Sequence, residues 1–370
     1  MPRSANLLAL KELGQSVWYD NISRELLVSG GLKEILDWGV VGLTSNPSIF
    51  EKAISSSQVY DSAIQNMEVE TYSDIEVFEK LAVADIQDAA DLLTDTYKKT
   101  DAKNGYVSLE VNPHLANDTD NTVAEAERLY KEVDRPNLMI KVPATESGIP
   151  AIQQLISKGI SVNVTLIFST EMYSMVREAY LSGLENLHVS GADLSKTNSV
   201  ASFFVSRVDT AVDSAISQGK LLSDDFKGMA GIANAKIAYK EFQDTFASSR
   251  FEKLRAAGAN IQRPLWASTS MKNPAMRDVL YVENLVGPDT VNTMPDVTLN
   301  AFIDHGNSEN TITKNVDDAY NHISALTTAG IDMSVITQTL LEDGVKAFAD
   351  SFDQLLENIS QKRSTLAATR

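Results

Sequence analysis

A single (β/α)₈ barrel accounts for this chain, and three observations predict it. Eight short apolar runs rich in β-forming residues are spaced along the 370 residues. Each is followed by a helical pattern or by a stretch long enough to hold one. Strands alternating with helices imply parallel βαβ units, and eight such units imply a closed barrel. Polar side chains collect at the C-terminal ends of the runs, where barrels of this class carry their chemistry.

The expected strands are residues 16–20, 40–45, 107–112, 138–144, 161–168, 199–205, 264–268 and 290–294. Two connections are longer than one crossover helix needs. Residues 47–105 have room for two helices, the second marked by Ile75, Phe78, Ala82, Ile86, Ala89, Leu93 and Tyr97 on one apolar stripe. Residues 208–262 hold a helix, a Gly/Asp-containing loop at 224–231, and a second helix to about residue 256. A last amphipathic helix spans about 334–360, with Leu341, Val345, Phe348, Phe352, Leu355 and Ile359 as its stripe. Such a stripe reads as core, and the tail 361–370 reads as frayed. No Gly-, Pro- or Ser-rich linker divides the sequence and no internal repeat is visible, so residues 1–370 are expected to form one domain.

The bulk numbers narrow the function. A net charge of −18 argues against nucleic-acid and anionic membrane partners, and any phosphorylated ligand needs a local cationic site working against that field. There is no cysteine, which excludes disulfides, thiolate metal sites and a cysteine nucleophile. The four histidines (His114, His188, His305 and His322) have no metal-binding spacing, so no metal site is expected. The first twenty residues are too polar for a signal peptide and no apolar run reaches the length of a membrane span. The sequons at Asn21, Asn117, Asn163 and Asn358 therefore read as chance, and a cytoplasmic protein is expected.

Lys141 stands out within Leu138-Met139-Ile140-Lys141-Val142-Pro143-Ala144, a run that otherwise reads as a strand buried on both faces. Loss of hydration disfavours the ammonium form, and a neutral amine in a dry pocket is a nucleophile toward carbonyls. The alternative is a lysine that snorkels from a strand end or pairs with a carboxylate. Its neighbours strengthen the first reading. Asp20 ends the first expected strand, Thr44-Ser45-Asn46 the second, and Glu110 and Asn112 the third. Asn163 and Thr165, two apart on the fifth, point to the same side. Ser202 and Arg207 lie at or just past the sixth, and Ser268, Ser270 and Lys272 follow the seventh. Each has a plainer explanation: Asp20 as an N-cap, Asn46-Pro47 as a turn, Glu110 as a mere partner that lets Lys141 be buried, Arg207 and Lys272 as surface charges. Independent accidents would not all fall at strand ends.

Two segments carry a resemblance. Gly42-Leu43-Thr44-Ser45-Asn46-Pro47-Ser48-Ile49-Phe50 closely resembles the first signature of the transaldolases. Leu138-Met139-Ile140-Lys141-Val142-Pro143-Ala144-Thr145-Glu146-Ser147-Gly148-Ile149 resembles the second, which holds their Schiff-base lysine. The supporting positions run from Asp20 to beyond Lys272, and the likeness is to the longer transaldolases of about this length. It implies a (β/α)₈ barrel and a transferase of the non-oxidative pentose phosphate pathway. Such an enzyme moves a dihydroxyacetone unit from sedoheptulose 7-phosphate or fructose 6-phosphate to glyceraldehyde 3-phosphate or erythrose 4-phosphate. By that resemblance Lys141 forms the imine, Asp20 is the acid/base, and Glu110 acts through a water held with Thr165. Asn46 and Asn163 hold the hydroxyls of the three-carbon unit, Phe204 lies near the imine, and Arg207 binds the phosphate. Thr44 and Ser202 complete the substrate site. No cofactor is required, the partners are small sugar phosphates, and the oligomeric state is open between monomer and homodimer.

The resemblance departs at one place. Short family members put a phosphate-binding arginine two residues beyond the serine matched by Ser268, where this chain has Ser270, with Lys272 two further on. A clamp of Arg207 and Lys272, assisted by Ser268 or Ser270, is the expectation here. Two competing functions remain: a class I aldolase that releases free dihydroxyacetone from fructose 6-phosphate, and a catalytically silent barrel serving as a binding or scaffold protein.

Overall fold

In a computed structural model the protein is described over residues 5–67, 71–219 and 222–368. Eight parallel strands form its centre: β1 (Gln15–Tyr19), β2 (Gly42–Leu43), β3 (Tyr106–Glu110), β4 (Leu138–Pro143), β5 (Val162–Ile167), β6 (Ser199–Phe204), β7 (Arg263–Ala267) and β8 (Thr290–Met294). They close in chain order into a barrel, β8 lying beside β1 with Gln15 opposite Thr290 and Tyr19 opposite Met294. Every expected strand is present, its ends within two residues of expectation and the eighth matching at both. The second shrinks most, from 40–45 to Gly42–Leu43. No helix among the described residues is long and apolar enough to cross a membrane.

The two-residue alternation of strand side chains sorts inside from outside. On β4, Leu138, Ile140 and Val142 join the large cluster packed under the surrounding helices. Met139 joins a second cluster with Trp18, Tyr106, Val200, Leu265 and Val291, one inward residue from each of five further strands. These six residues fill the barrel below its polar mouth. The next inward position on β4 is Lys141, and on β3 the positions after Tyr106 are Ser108 and Glu110. Apolar filling below thus gives way to a polar layer above.

The helical excursions differ from expectation in detail. Among the described residues, 47–105 hold three helices, Pro47–Ser56, Asp61–Gln65 and Asp74–Lys99, rather than two. The helix expected to reach about residue 256 breaks after Phe246, where Ser248 caps a new helix by accepting from the Phe251 amide at 3.3 Å. The final helix is longer than 334–360 and runs Met333–Ala368, so the frayed tail is a helix through Ala368. Tertiary contacts hold it. Lys362 pairs with Asp61 at 2.8 Å and donates to the Ile54 carbonyl at 3.0 Å, while Arg363 donates to Asp74 and to the Tyr72 carbonyl.

Where this helix crosses the barrel mouth, two local features fit together. Leu166 adopts a left-handed backbone (φ 60°) beside a register shift between β5 and β6. Its side chain meets the helix at Gly344, where an added Cβ would lie 3.0 Å from Leu166 Cδ2 and 3.7 Å from Arg207 Nη1. A side chain at 344 would press on the Leu166 methyl, so glycine lets the helix lie this low without displacing it.

Candidate active site

The register sets three charged or polar side chains side by side: Glu110 on β3 faces Lys141 on β4, which faces Asn163 on β5. Lys141 is 5 % exposed, its Nζ 3.2 Å from Glu110 Oε2 and donating to the Ser45 carbonyl at 3.1 Å. The pairing considered as the plainer alternative is therefore present, and its Lys141 member opens on a cleft. Burial raises the Glu110 carboxyl above the ordinary carboxylate range, with the Lys141 charge opposing. Neither Glu110 oxygen makes a hydrogen bond of good geometry, and the Thr165 hydroxyl makes none. A carboxylate that favours its proton beside an amine is a proton acceptor for that amine.

Asp20 sits at the end of β1, deep in the protein but with an edge on the cleft. Its Oδ1 accepts from Thr44 Oγ at 2.7 Å, and Thr44 Oγ also lies 2.7 Å from Thr293 Oγ. Thr44 has one hydroxyl proton and gives it to the carboxylate, so Thr293 donates to Thr44. Burial raises the Asp20 carboxyl, opposed first by the Thr44 bond and then by the charges of Lys141 and Arg207. The N-cap explanation fails: the following helix, Arg24–Val28, is capped by Ser23, whose hydroxyl accepts from the Leu26 amide at 3.2 Å.

The cleft itself encloses about 150 Å³. Asp20, Thr44, Asn46, Lys141, Thr165, Ser202, Phe204, Arg207, Ser268, Ser270 and Lys272 all line it. Asn46 also caps the helix Pro47–Ser56, its Oδ1 accepting from the Ile49 amide at 3.0 Å. Arg207 lies 5.3 Å over the Phe204 ring, and burial lowers its pKa. Among the described residues neither Arg207 nor Lys272 pairs with a carboxylate, and both face the cleft. Ser268 holds a left-handed backbone (φ 56°) at the end of β7, with its hydroxyl 2.8 Å from that of Ser206. Ser270 Oγ lies 2.6 Å from Thr298 Oγ. No cluster of His, Cys, Asp and Glu suited to a metal occurs among the described residues.

The model of the transaldolase/fructose-6-phosphate aldolase family matches residues 17–359. The chain belongs to that family. Curated relatives named transaldolase agree along their whole lengths. The Mycolicibacterium smegmatis protein is 46 % identical over 96 % of this chain and 97 % of its own. The Thermobifida fusca protein is 47 % identical over 96 % and 98 %, and that of Parafrankia is 46 % identical over 99 % and 100 %.

Set against the family resemblance, two residues do not reach the cleft wall: Glu110, which meets it through Lys141, and Asn163. Asn163 is wholly buried, donating from Nδ2 to Ser108 Oγ at 3.0 Å and accepting from Ser202 Oγ at 2.7 Å. It meets the cleft through Ser202. Four wall residues escaped sequence reasoning: Ala267, Thr293, Pro295 and Phe348. Thr293 was within reach, being two residues beyond inward-facing Val291 on an expected strand. Phe348 had been read as core, which it also is.

Proposed function

We propose that this chain is a transaldolase with Lys141 as the imine-forming residue. The observation that carries the reading is an inward lysine amine 3.2 Å from a buried carboxylate, at the floor of a cleft that also holds Asp20 and two unpaired cations. Lys141 passes its proton to Glu110 and adds to the ketone carbon of a ketose phosphate. The carbinolamine loses water to give a protonated imine, with Glu110 and Thr165 handling that water. Asp20 then takes the proton from the hydroxyl beyond the scissile C–C bond, and the electron pair flows into the imine. An aldose phosphate leaves, and the three-carbon unit stays on Lys141 as an enamine until an acceptor aldehyde reverses the sequence. A positioned base of this kind contributes about 10²–10⁴-fold.

Arg207 and Lys272 supply the charge for the substrate phosphate, arginine being suited to bidentate contact. Asn46 and Ser202, the latter held by Asn163, face the hydroxyls of the bound unit. We take fructose 6-phosphate and sedoheptulose 7-phosphate as donors, the pentose phosphate pathway as the setting and the cytoplasm as the location. One assay tests the reading: fructose 6-phosphate is supplied with and without erythrose 4-phosphate. Sedoheptulose 7-phosphate formed only with acceptor supports transfer. Free dihydroxyacetone as the main product in both cases would make the chain an aldolase, and no product in either would leave a binding or scaffold role.

A further inference from the structure

The C-terminal helix, Met333–Ala368, brings an aromatic ring to the reacting amine. The Phe348 ring centroid lies 5.3 Å from Lys141 Nζ, and the residue lines the cleft while only 6 % exposed. We propose that Phe348 is a specificity-determining residue of the cleft. It roofs the imine and sets how the three-carbon intermediate divides between transfer to an aldehyde and release as free dihydroxyacetone. The proposal rests on the transaldolase reading of Lys141.

The wall of the cleft has two characters. Phe204, Ala267, Pro295 and Phe348 are apolar, and the remainder carries hydroxyl, amide or charged groups. Phe348 is the wall residue over the nitrogen that becomes a cationic imine, and an aromatic face attracts such a charge. The roof is firmly seated. Gly344, one turn earlier, lies against Leu166 and Arg207. Phe352, one turn later, packs edge-on against Phe78 at 5.6 Å. Ser351 lies 2.8 Å from Ser48, and Asn358 donates to Glu51 at 2.8 Å.

The chemistry gives this roof a consequence. The enamine left after C–C cleavage has two fates. If its carbon attacks an acceptor aldehyde, a C–C bond forms, the aldehyde oxygen takes a proton, and one water then hydrolyses the product imine to release the ketose and restore Lys141. If that carbon takes a proton and one water adds to the resulting imine, the C–N bond breaks, the amine of Lys141 is restored and dihydroxyacetone leaves. Both fates end with one water at an imine, and they part where the enamine carbon takes either a proton or the aldehyde, so a side chain that keeps water from the enamine favours the first.

The test uses full-length Phe348→Leu and Phe348→Ala with fructose 6-phosphate, reading dihydroxyacetone and sedoheptulose 7-phosphate with and without erythrose 4-phosphate. The ratio of release to transfer should rise about tenfold in the alanine variant, roughly 1.4 kcal/mol in relative barrier, and less in the leucine variant. Phe348→Tyr, which keeps the ring, should hold the parent ratio. Borohydride with fructose 6-phosphate should still trap an adduct on Lys141 in every folded variant. Should Phe348→Ala fail to fold, the leucine and tyrosine variants carry the comparison. An unchanged ratio in the folded leucine or alanine variant, even with slower rates, overturns the proposal. A parent protein that gives no adduct overturns the reading of Lys141, and this proposal with it.

Discussion

Two buried cations at opposite ends of the barrel make an instructive pair. Arg263, at the N-terminal start of β7, is 4 % exposed, and Lys141, near the C-terminal end of β4, is 5 % exposed. Arg263 is surrounded by acceptors. It donates to Ser16 Oγ at 2.9 Å, to the Lys103 carbonyl, and to Asn104 Oδ1 at 3.3 and 3.4 Å. Burial pushes its pKa down to about 10, still a cation at neutral pH. Lys141 has one carbonyl and one carboxylate, and both oxygens of that carboxylate lack a well-formed hydrogen bond. The contrast teaches where to look for chemistry. A buried charge whose partners are all satisfied ties loops together, whereas one whose partners are left open stands ready to exchange a proton.

The comparison breaks most sharply at Lys141. Lys141→Met should abolish imine formation and lower turnover by on the order of 10⁴-fold or more, as steady-state assays would record. A variant with substantial activity would remove the lysine from the reaction. Next comes Asp20→Ala, which should slow turnover by roughly 10²-fold or more while imine trapping persists. Ser23→Ala serves as its counterpart: it removes the true cap nearby, so it should cost about 1 kcal/mol of stability and spare turnover.

Arg263→Met should do the reverse of Lys141→Met. It leaves the buried Ser16 hydroxyl without this donor, at about 1–3 kcal/mol, and unties the half-buried Asn104 and the Lys103 carbonyl, so the melting temperature should fall while kcat per folded molecule holds. A loss of kcat without a change in melting would erase the distinction between the two ends.

Asp209 sharpens the same point for carboxylates, through pH. It is buried at the start of the helix Ser206–Gly219, outside the cleft, accepting from the Gly231 amide at 2.7 Å. Burial raises its pKa from 3.8 to about 6. A raised carboxyl favours the folded state when protonated. Its contribution is complete below the unfolded value near 3.8 and is lost as pH rises through about 6. Relative to Asp209→Asn, the parent should lose on the order of 3 kcal/mol of stability between pH 4 and pH 7. Denaturant melts at both pH values check this, and a constant difference would refute it.

Much of this was legible in the sequence, for physical reasons that differ by residue. The strands were found because parallel strands buried between an outer layer of helices and a packed barrel interior must be largely apolar. Lys141 was found because it violates that rule. Asp20 and Glu110 were found through strand ends, which topology places at one mouth. Phe348 was missed because a residue on a helical stripe looks the same whether it faces core or cleft, and only the crossing of the final helix over the barrel decides. The helical tail was missed because its support comes from Asp61 and Asp74, some three hundred residues away in sequence. Arg263 lay one residue before the expected start of its strand, and no pattern marks a charge whose acceptors come from two other segments.

The most direct test of the central claim is to reduce the protein with borohydride in the presence of fructose 6-phosphate and map the modified peptide. The account predicts one adduct of a three-carbon or six-carbon unit, on Lys141. An adduct on Lys272 instead, or an active protein that yields no adduct at all, would contradict it.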